Sequence, residues 1–264
     1  MISFDFRSKA NGVPILSKEN IEYIAEMIIR DYKPENLKTP TALDVELFSE
    51  CYAGLDVDYK DLSHNRSILG MIVFNDGCVP VYNPIKNKAE KLPVDEGTIL
   101  IDNSLLEEDQ IRRGRFTHCH EISHWFLHRD IYAVDKNQIS IFDYMGEEEK
   151  TTAIKCRTTD IESTGRKQLV TDDDWMEWQA DYLASALLMP VDAFTQAVKD
   201  YVRLLGVEEF FNRRGIDLYN DFWAEELSRG MARQFDVSLT AAKIRLKNLG
   251  FIKSVEEKRQ CSII

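Results

Sequence analysis

Residues 118–128 read His-Cys-His-Glu-Ile-Ser-His-Trp-Phe-Leu-His and contain an HExxH pattern that begins at His120 and ends at His124. On an α-helix, residues four positions apart lie on one face, so the imidazoles of His120 and His124 can reach a single cation. Glu121 is rotated off that face and can approach a water molecule rather than the ion. The stretch therefore predicts a metal-binding helix with a carboxylate beside the metal.

A catalytic zinc ion takes three protein ligands and keeps one position open. Downstream, residues 177–181 read Glu-Trp-Gln-Ala-Asp, again on a predicted helix. Glu177 can supply the third ligand. Asp181, one turn later, can accept a proton from a ligand imidazole and so fix its tautomer. The sequence thus predicts Zn2+ bound by His120, His124 and Glu177, with Glu121 as the catalytic base and Asp181 as the supporting carboxylate.

Several alternatives stay open at this stage. The five-residue motif also occurs in helices that bind no metal, and Glu177 and Asp181 would then lie on a solvated helix face. His128, four residues after His124, is a rival third ligand, and Cys156 could cover the zinc as a latency switch. Position 130 is Asp130 rather than a third histidine, which disfavours the metzincin class. Manganese or another divalent ion could replace zinc.

Hydrophobic periodicity and turn residues predict mixed secondary structure. Helices are expected over Ser17–Tyr32, Leu43–Cys51, Glu107–His128 and Asp174–Leu188, and over most of 191–253. Strands are expected over Ile68–Phe74, Cys78–Tyr82 and Thr98–Asp102. Asn75-Asp76-Gly77 predicts a hairpin between the first two strands, because glycine accepts positive φ at little cost. The polar stretch 133–174 is expected to be a long loop with one short strand.

These elements indicate an α+β fold, a zincin-like metallopeptidase with a small antiparallel or mixed sheet packed on helices. We expect a zinc metallopeptidase domain over 1–190, including the 133–174 loop. A helical C-terminal region over 191–264 would follow, with a helix-turn-helix-like segment at 221–250.

The composition sets limits on location and partners. A formal net charge of -12 disfavours nucleic acid as a partner, because phosphate repels an acidic protein at long range. The five cysteines are widely spaced, and the chain contains neither an N-terminal apolar signal core nor an apolar run of the ~20 residues that a membrane helix needs. We therefore expect a cytoplasmic protein with reduced thiols and no membrane association.

The two motif blocks together resemble the ImmA/IrrE family of metallo-endopeptidases. The blocks are HEISHWFLH at 120–128 and EWQADYLASALLMP at 177–190, and the closing segment 235–250 is also similar to that family's last helices. Asp181 stands where asparagine is commoner in the family, and Leu183 where phenylalanine is commoner. The stretch between His124 and Glu177 is longer than the family pattern leads us to expect, which puts substrate access and regulation in question.

The resemblance implies a cytosolic, bacterial or phage-associated endopeptidase that cleaves a helix-turn-helix repressor and so induces a stress or mobile-element response. Its partner would be that repressor. An extended substrate could pair with a sheet edge, around Cys78–Tyr82 or Thr98–Asp102. A second donor to the oxyanion is expected, with Tyr132, Tyr144 and Tyr182 as candidates. The sequence does not determine the oligomeric state.

Two rival functions differ in kind. The segment from Met231 to Leu249 has a helix-turn-helix pattern made locally basic by Arg233, Lys243, Arg245 and Lys247, which is consistent with a DNA-binding regulator. The other rival is a metal-binding sensor that binds a repressor without proteolysis. The complete HExxH argues against this sensor, because Glu121 is not a metal ligand and a site that only binds metal would not need it.

Overall fold

The computed structural model describes residues 4–132, 153–157, 169–214, 216–217 and 222–253. The chain divides into two compact units, the first formed by Met1–Ile21 and Asp44–Ala184 and the second by Glu22–Leu43 and Ser185–Ile264. The predicted mixed α+β class is confirmed. In the described part of the chain, no helix combines the length and apolar character needed to cross a membrane.

The helices that precede the sheet lie close to their predicted positions. Helix α1 spans Lys18–Tyr32. Ser17 caps it, because its hydroxyl accepts a hydrogen bond from Asn20 N at 3.2 Å while Asn20 Oδ1 accepts one from Ser17 N at 3.0 Å. The predicted second helix begins as α2 at Val45–Leu47 and continues as a π-helical turn over Phe48–Ala53, ending at Gly54 with a φ of 66°.

A mixed sheet forms the centre of the first unit. Its strands are β1 (Asp56–Lys60), β2 (Ile68–Val73), β5 (Thr98–Asp102) and β6 (Ala153–Arg157), in the order β1-β5-β2-β6. β1 is parallel to β5, whereas β2 is antiparallel to both β5 and β6. β6 is the short strand expected within 133–174. The remainder of that loop, apart from the residues just before the next helix, lies outside the described residues.

The predicted hairpin between Ile68–Phe74 and Cys78–Tyr82 is wrong. β3 (Gly77–Asn83) pairs with β4 (Lys88–Val94) and not with β2. Asp76 Oδ1 accepts a hydrogen bond from Glu96 N at 2.8 Å, and Asn75 Nδ2 donates one to Tyr132 O at 2.9 Å. Gly77 does not adopt positive φ. The turn residues are therefore used in contacts with distant segments rather than in a tight turn.

The hairpin forms instead between β3 and β4. Asn83 Oδ1 accepts hydrogen bonds from the backbone N–H groups of Ile85 and Lys86, both at 3.0 Å. Asn87 adopts a φ of 49°, a conformation that asparagine tolerates better than most residues. The reversal of the chain thus depends on two asparagines, one on each side of Pro84.

Strand β2 is buried on both faces. Met71 and Val73 belong to an apolar cluster with Leu62, Val79 and Leu100. Gly70 and Ile72 face the opposite side, where α3 (Ile111–Tyr132) packs on the sheet. α3 begins and ends one turn later than the predicted Glu107–His128; residues 107–110 form a bend and turn instead, in which Gln110 N donates to Glu107 O at 2.8 Å. From Thr117 to Trp125 every residue of α3 is buried, as expected for a helix enclosed by its neighbours.

The last helix to contribute to the first unit is α4, which spans Asp172–Leu188. It carries Asp172, Asp173 and Asp174 in its first turn, where backbone N–H groups favour negative charge. Thr171 and Asp174 also exchange hydrogen bonds at the start of the helix, at 2.8–3.1 Å. These contacts position the remaining turns of α4, including Glu177.

The second unit is largely helical, as predicted. Besides most of α1 and the end of α4, its elements are α5 (Val191–Leu204), α6 (Glu208–Arg214), α7 (Phe222–Phe235) and α8 (Leu239–Asn248), with short parallel strands β7 (Ile216–Asp217) and β8 (Ile252–Lys253). Ser238 caps α8 by accepting a hydrogen bond from Ala241 N at 3.1 Å. The predicted helix-turn-helix-like segment corresponds to α7 and α8. The proposed boundary at residue 190 stays a prediction.

Candidate metal centre

Helices α3 and α4 bring three potential metal ligands together. His120 Nε2 and His124 Nε2 lie 3.0 Å apart. The carboxylate of Glu177 lies 3.3 Å from His120 Nε2 through Oε2 and 3.5 Å from His124 Nε2 through Oε1. Both imidazoles are fully buried, and the Glu177 side chain is 16% exposed. The predicted ligand triad therefore converges from two helices that are distant in sequence.

The donor set fits a divalent cation. The three ligand atoms all lie within 4.8 Å of one another. Tetrahedral zinc with ligand distances of about 2.0–2.2 Å requires ligand atoms roughly 3.3–3.5 Å apart, close to the separations observed. Two imidazole nitrogens and one carboxylate also match the donor types of catalytic zinc sites. The group could thus hold a metal ion, although its geometry does not distinguish zinc from other divalent ions.

The pKa shifts of Glu177 and His124 lie in the directions that favour binding of a cation. Burial would raise the pKa of Glu177, but hydrogen bonds and positive charge on the rings of His124 and His120 outweigh it and hold that pKa well below its ordinary value. Burial lowers the pKa of His124. A metal requires an ionised carboxylate and neutral imidazoles as its ligands.

The carboxyl group of Glu121 reaches strand β2 at Gly70. Its side chain is fully buried, and neither carboxylate oxygen forms a well-aligned hydrogen bond with the described residues. Burial raises its pKa to about 8; the charge of Glu177 adds to this rise, whereas His120 and the backbone N–H of Ile72 oppose it. A fully buried carboxyl group with so little hydrogen bonding is costly to keep, which makes Glu121 a candidate for chemistry at this site.

Gly70 makes room for this carboxyl group. A Cβ atom at Gly70 would lie 2.5 Å from Glu121 Oε1 and 2.7 Å from Thr117 Cγ2, closer than real contacts allow. Sequence analysis did not single out Gly70. The available signal was a glycine within the apolar run 68–73, since glycine inside a strand often marks a close approach by another group.

Asp181 lies one turn after Glu177 on α4, and its Oδ1 is 2.9 Å from His120 Nδ1. An ionised carboxylate can only accept a hydrogen bond, so this contact places the proton of neutral His120 on Nδ1. Nε2, which lies beside His124 and Glu177, then carries the lone pair that a metal ion needs. This is the role that the sequence predicts for Asp181.

His128 does not join the ligand group. Its Nδ1 lies 2.8 Å from His124 Nδ1, and its Nε2 lies 3.0 Å from Gln179 Oε1. Both nitrogens of His128 therefore contact atoms other than the three ligand atoms, and this arrangement excludes His128 as the third ligand. Gln179 was also missed by sequence analysis, because nothing local in a helix sequence shows which distant side chain its amide will contact.

The remaining candidates have separate environments. Tyr132 directs its hydroxyl to Met176 Sδ at 3.7 Å, and burial together with the nearby carboxylates of Asp173 and Glu177 raises its pKa to about 12. Tyr182 is buried with the Lys18 ammonium 5.6 Å from its ring centroid. Tyr144 and the side chain of Cys156 lie outside the described residues.

Comparison with known proteins leaves the metal centre as the main guide to function. Neither the protein-family models nor the curated proteins searched give a match to this sequence.

Proposed function

We propose that this protein is a zinc-dependent endopeptidase. The observation that supports the proposal most directly is the combination of two distinct features around helix α3. One is the ligand group of His120, His124 and Glu177, and the other is the fully buried carboxyl group of Glu121 next to it in sequence. A purely structural metal site needs only the first feature.

Each residue then has a defined task. Bound zinc supplies Lewis acidity, polarising the scissile carbonyl and making water a competent nucleophile near neutral pH. Glu121 accepts the proton of the attacking water and returns it to the leaving amine. The phenol of Tyr132 stays protonated and is a candidate donor to the oxyanion.

The sheet limits where an extended substrate can pair. The prediction that Thr98–Asp102 offers a sheet edge is wrong, because this segment is β5 and lies between β1 and β2. β2 contacts the carboxyl group of Glu121 at Gly70, but β2 is not an edge either, because β5 pairs with one side of it and β6 with the other. Cys78–Tyr82, within β3, stays a candidate edge, although Pro80 cannot donate to a ladder, and the outer strands of the four-stranded sheet are β1 and β6.

The substrate class in this proposal is a helix-turn-helix repressor, and its cleavage would induce a stress or mobile-element response. Support comes from the resemblance of residues 120–128 and 177–190 to ImmA/IrrE endopeptidases. The metal group and Asp181 use residues from both of these blocks. The chemistry of the site and the identity of its substrate are separable, and the experiment below tests each.

The DNA-binding alternative is less favoured because three of the four basic residues named for it already contact carboxylates. Arg245 is fully buried and shares two hydrogen bonds with Glu22, at 2.5 and 2.9 Å. Lys243 is paired with Glu225, and the guanidinium of Arg233 lies 3.9 Å from Glu226. Side chains neutralised in this way contribute little to the contacts with phosphate that provide most of the affinity for DNA.

The test compares Glu121→Gln with wild type and with Glu50→Gln, an exposed position in the same unit. Each zinc-loaded protein is incubated with the repressor encoded beside its gene, and fragments are identified by mass spectrometry. We expect all three to bind equimolar zinc. Cleavage by Glu121→Gln should fall by at least the 10²–10⁴-fold that general base catalysis contributes, while Glu50→Gln should match wild type.

Two outcomes would contradict the proposal in different ways. Undiminished cleavage by Glu121→Gln would exclude its role as the base. If zinc-loaded wild type binds the repressor tightly but leaves it intact, the non-proteolytic sensor is the correct function.

A further inference from the structure

A chain of hydrogen bonds leads from the metal centre to the N-terminal segment. It runs from His124 Nδ1 to His128 Nδ1 at 2.8 Å, from His128 Nε2 to Gln179 Oε1 at 3.0 Å, and from Gln179 Nε2 to Pro14 O at 2.8 Å. His124 and His128 are fully buried, Gln179 is 1% exposed, and Pro14 is buried. The chain thus joins α3, α4 and the N-terminal segment within the first unit.

The donor and acceptor of every hydrogen bond in the chain follow from the group at its end, the carbonyl oxygen of Pro14. Pro14 O can only accept, so the Gln179 amide must present its NH2 group to it and its Oε1 to His128. With the amide reversed, two acceptor oxygens would lie 2.8 Å apart. His128 Nε2 must then be the protonated nitrogen, which in a neutral ring leaves His128 Nδ1 as an acceptor. His124 Nδ1 must in turn donate to it.

We propose that His128 and Gln179 are positioning residues that hold His124 in the tautomer protonated on Nδ1, so that the lone pair of its Nε2 faces the metal. The Pro14 carbonyl sets the direction of this chain. The inference rests on the metal site of the proposed function, but not on peptidase activity. A backbone carbonyl on an N-terminal segment thereby selects which ring nitrogen of a ligand on α3 carries the proton.

The two ligand imidazoles are therefore supported in different ways. His120 Nδ1 faces the carboxylate of Asp181, a charged acceptor, at 2.9 Å. His124 Nδ1 faces a neutral chain that ends on a peptide group. A carboxylate partner raises the basicity of a ligand imidazole more than a neutral acceptor does, because the partner's charge stabilises positive charge on the ring. The neutral chain orients His124 without adding a further negative charge.

The N-terminal segment is held in place by several bonds. Ser8 and Pro14 form an antiparallel bridge, and Ile15 N donates to Arg7 O at 2.8 Å. Asn11 Nδ2 donates to Asp172 Oδ2 at 2.6 Å, at the start of α4, and Lys9 pairs with the same carboxylate. These contacts link Pro14 to the helix that carries Gln179, so the last bond of the chain has little freedom to shift.

The first experiment reads the tautomers directly in the zinc-loaded protein. Long-range 1H–15N correlation spectra of histidine-labelled protein separate the two ring nitrogens of each of the five histidines. We expect His128 protonated on Nε2 and His124 protonated on Nδ1. A spectrum with His124 protonated on Nε2, or with His128 protonated on Nδ1, would overturn the proposal. Neither signal depends on a substrate.

The second experiment uses Gln179→Met, which keeps the side-chain length but removes both polar groups. Its matched control is Ser123→Ala, which removes a buried bond from α3, Ser123 Oγ to Cys119 O at 2.8 Å, without touching the chain. Zinc affinity is measured by competition with a chromophoric chelator. We expect Gln179→Met to bind zinc about 10–100-fold more weakly and to show mixed His128 tautomers, whereas the control retains both properties.

The outcomes separate this proposal from the proposed function. Wild-type zinc affinity in a folded Gln179→Met protein would refute the positioning role, even if the enzyme is a peptidase. Absence of proteolysis would leave the tautomers and the zinc affinities unaffected. If Gln179→Met does not fold, the wild-type tautomer spectrum alone decides the assignment.

Discussion

Replacing Gly70 with alanine should displace the carboxyl group of Glu121 and destabilise the protein. The added Cβ would lie 2.7 Å from Thr117 Cγ2 and 2.5 Å from Glu121 Oε1. Carbon–carbon contacts are favourable at about 3.5–4.0 Å, so the new methyl group is almost 1 Å too close to Thr117. Gly70 does not have positive φ, so the effect of alanine is steric only.

The close contacts of the new Cβ atom with Thr117 and with Glu121 should be relieved in different ways. Thr117 is β-branched and stiff in its helix, so relieving its contact requires α3 or β2 to shift. Such overpacking costs about 1–3 kcal/mol, which corresponds to a decrease in Tm of roughly 2–12 °C for a domain of this size. Glu121 can rotate away, but a catalytic group displaced by about 1 Å can lose 10²-fold in rate.

A double variant separates stability from activity. Thr117→Ser removes the Cγ2 atom, so Gly70→Ala/Thr117→Ser should recover most of the lost Tm without recovering kcat, because the contact with Glu121 remains. Thermal unfolding followed by circular dichroism, zinc content and cleavage of the repressor are the three measurements, with Thr117→Ser alone as the control. If Gly70→Ala unfolds and cleaves like wild type, the close packing of α3 on β2 is refuted.

Three further predictions follow from other parts of the chain. Removal of zinc by a chelator should lower the free energy of unfolding by about 4 kcal/mol relative to protein in zinc at 1,000 times its Kd, and an unchanged Tm after verified zinc loss would contradict the site. Glu22→Gln should lower the free energy of unfolding by about 3 kcal/mol, because it leaves the buried guanidinium of Arg245 facing a neutral amide. Arg245→Met should lower it by less, as measured by urea unfolding, since Glu22 is 19% exposed and can be hydrated. At pH 8, iodoacetamide should modify exposed Cys51 and Cys78 but not Cys119, whose thiol is buried and has a pKa raised to about 12; modification of native Cys119, detected by peptide mass spectrometry, would show that α3 opens.

Much of the candidate metal centre was accessible from the sequence because its signals are local. The spacing of His120 and His124 specifies one helix face whatever surrounds the helix. The four-residue spacing of Glu177 and Asp181 does the same on α4. The serine cap before Lys18 and the length of β5 were predicted for a similar reason, since caps and short apolar runs depend on neighbouring residues.

Strand pairing was harder to predict from the sequence, because the partner of a strand depends on every other strand of the sheet. Asn75-Asp76-Gly77 has the composition of a tight turn, yet Asp76 bonds to Glu96 N and Asn75 to Tyr132 O. These partners are distant in sequence, and their contacts outweigh the local turn preference. The same dependence on distant segments placed β5 inside the sheet rather than at its edge.

The sequence by itself determined which side chains can bind a metal and which carboxyl group stands beside them, because helical periodicity is a property of the backbone. Only the tertiary structure decided how these groups are held. Gly70 admits Glu121, and Gln179 connects His128 to Pro14 O, through contacts between segments far apart in the chain. The physical reason is that hydrogen-bond direction and steric clearance depend on atoms in space, and a one-dimensional spacing does not specify them.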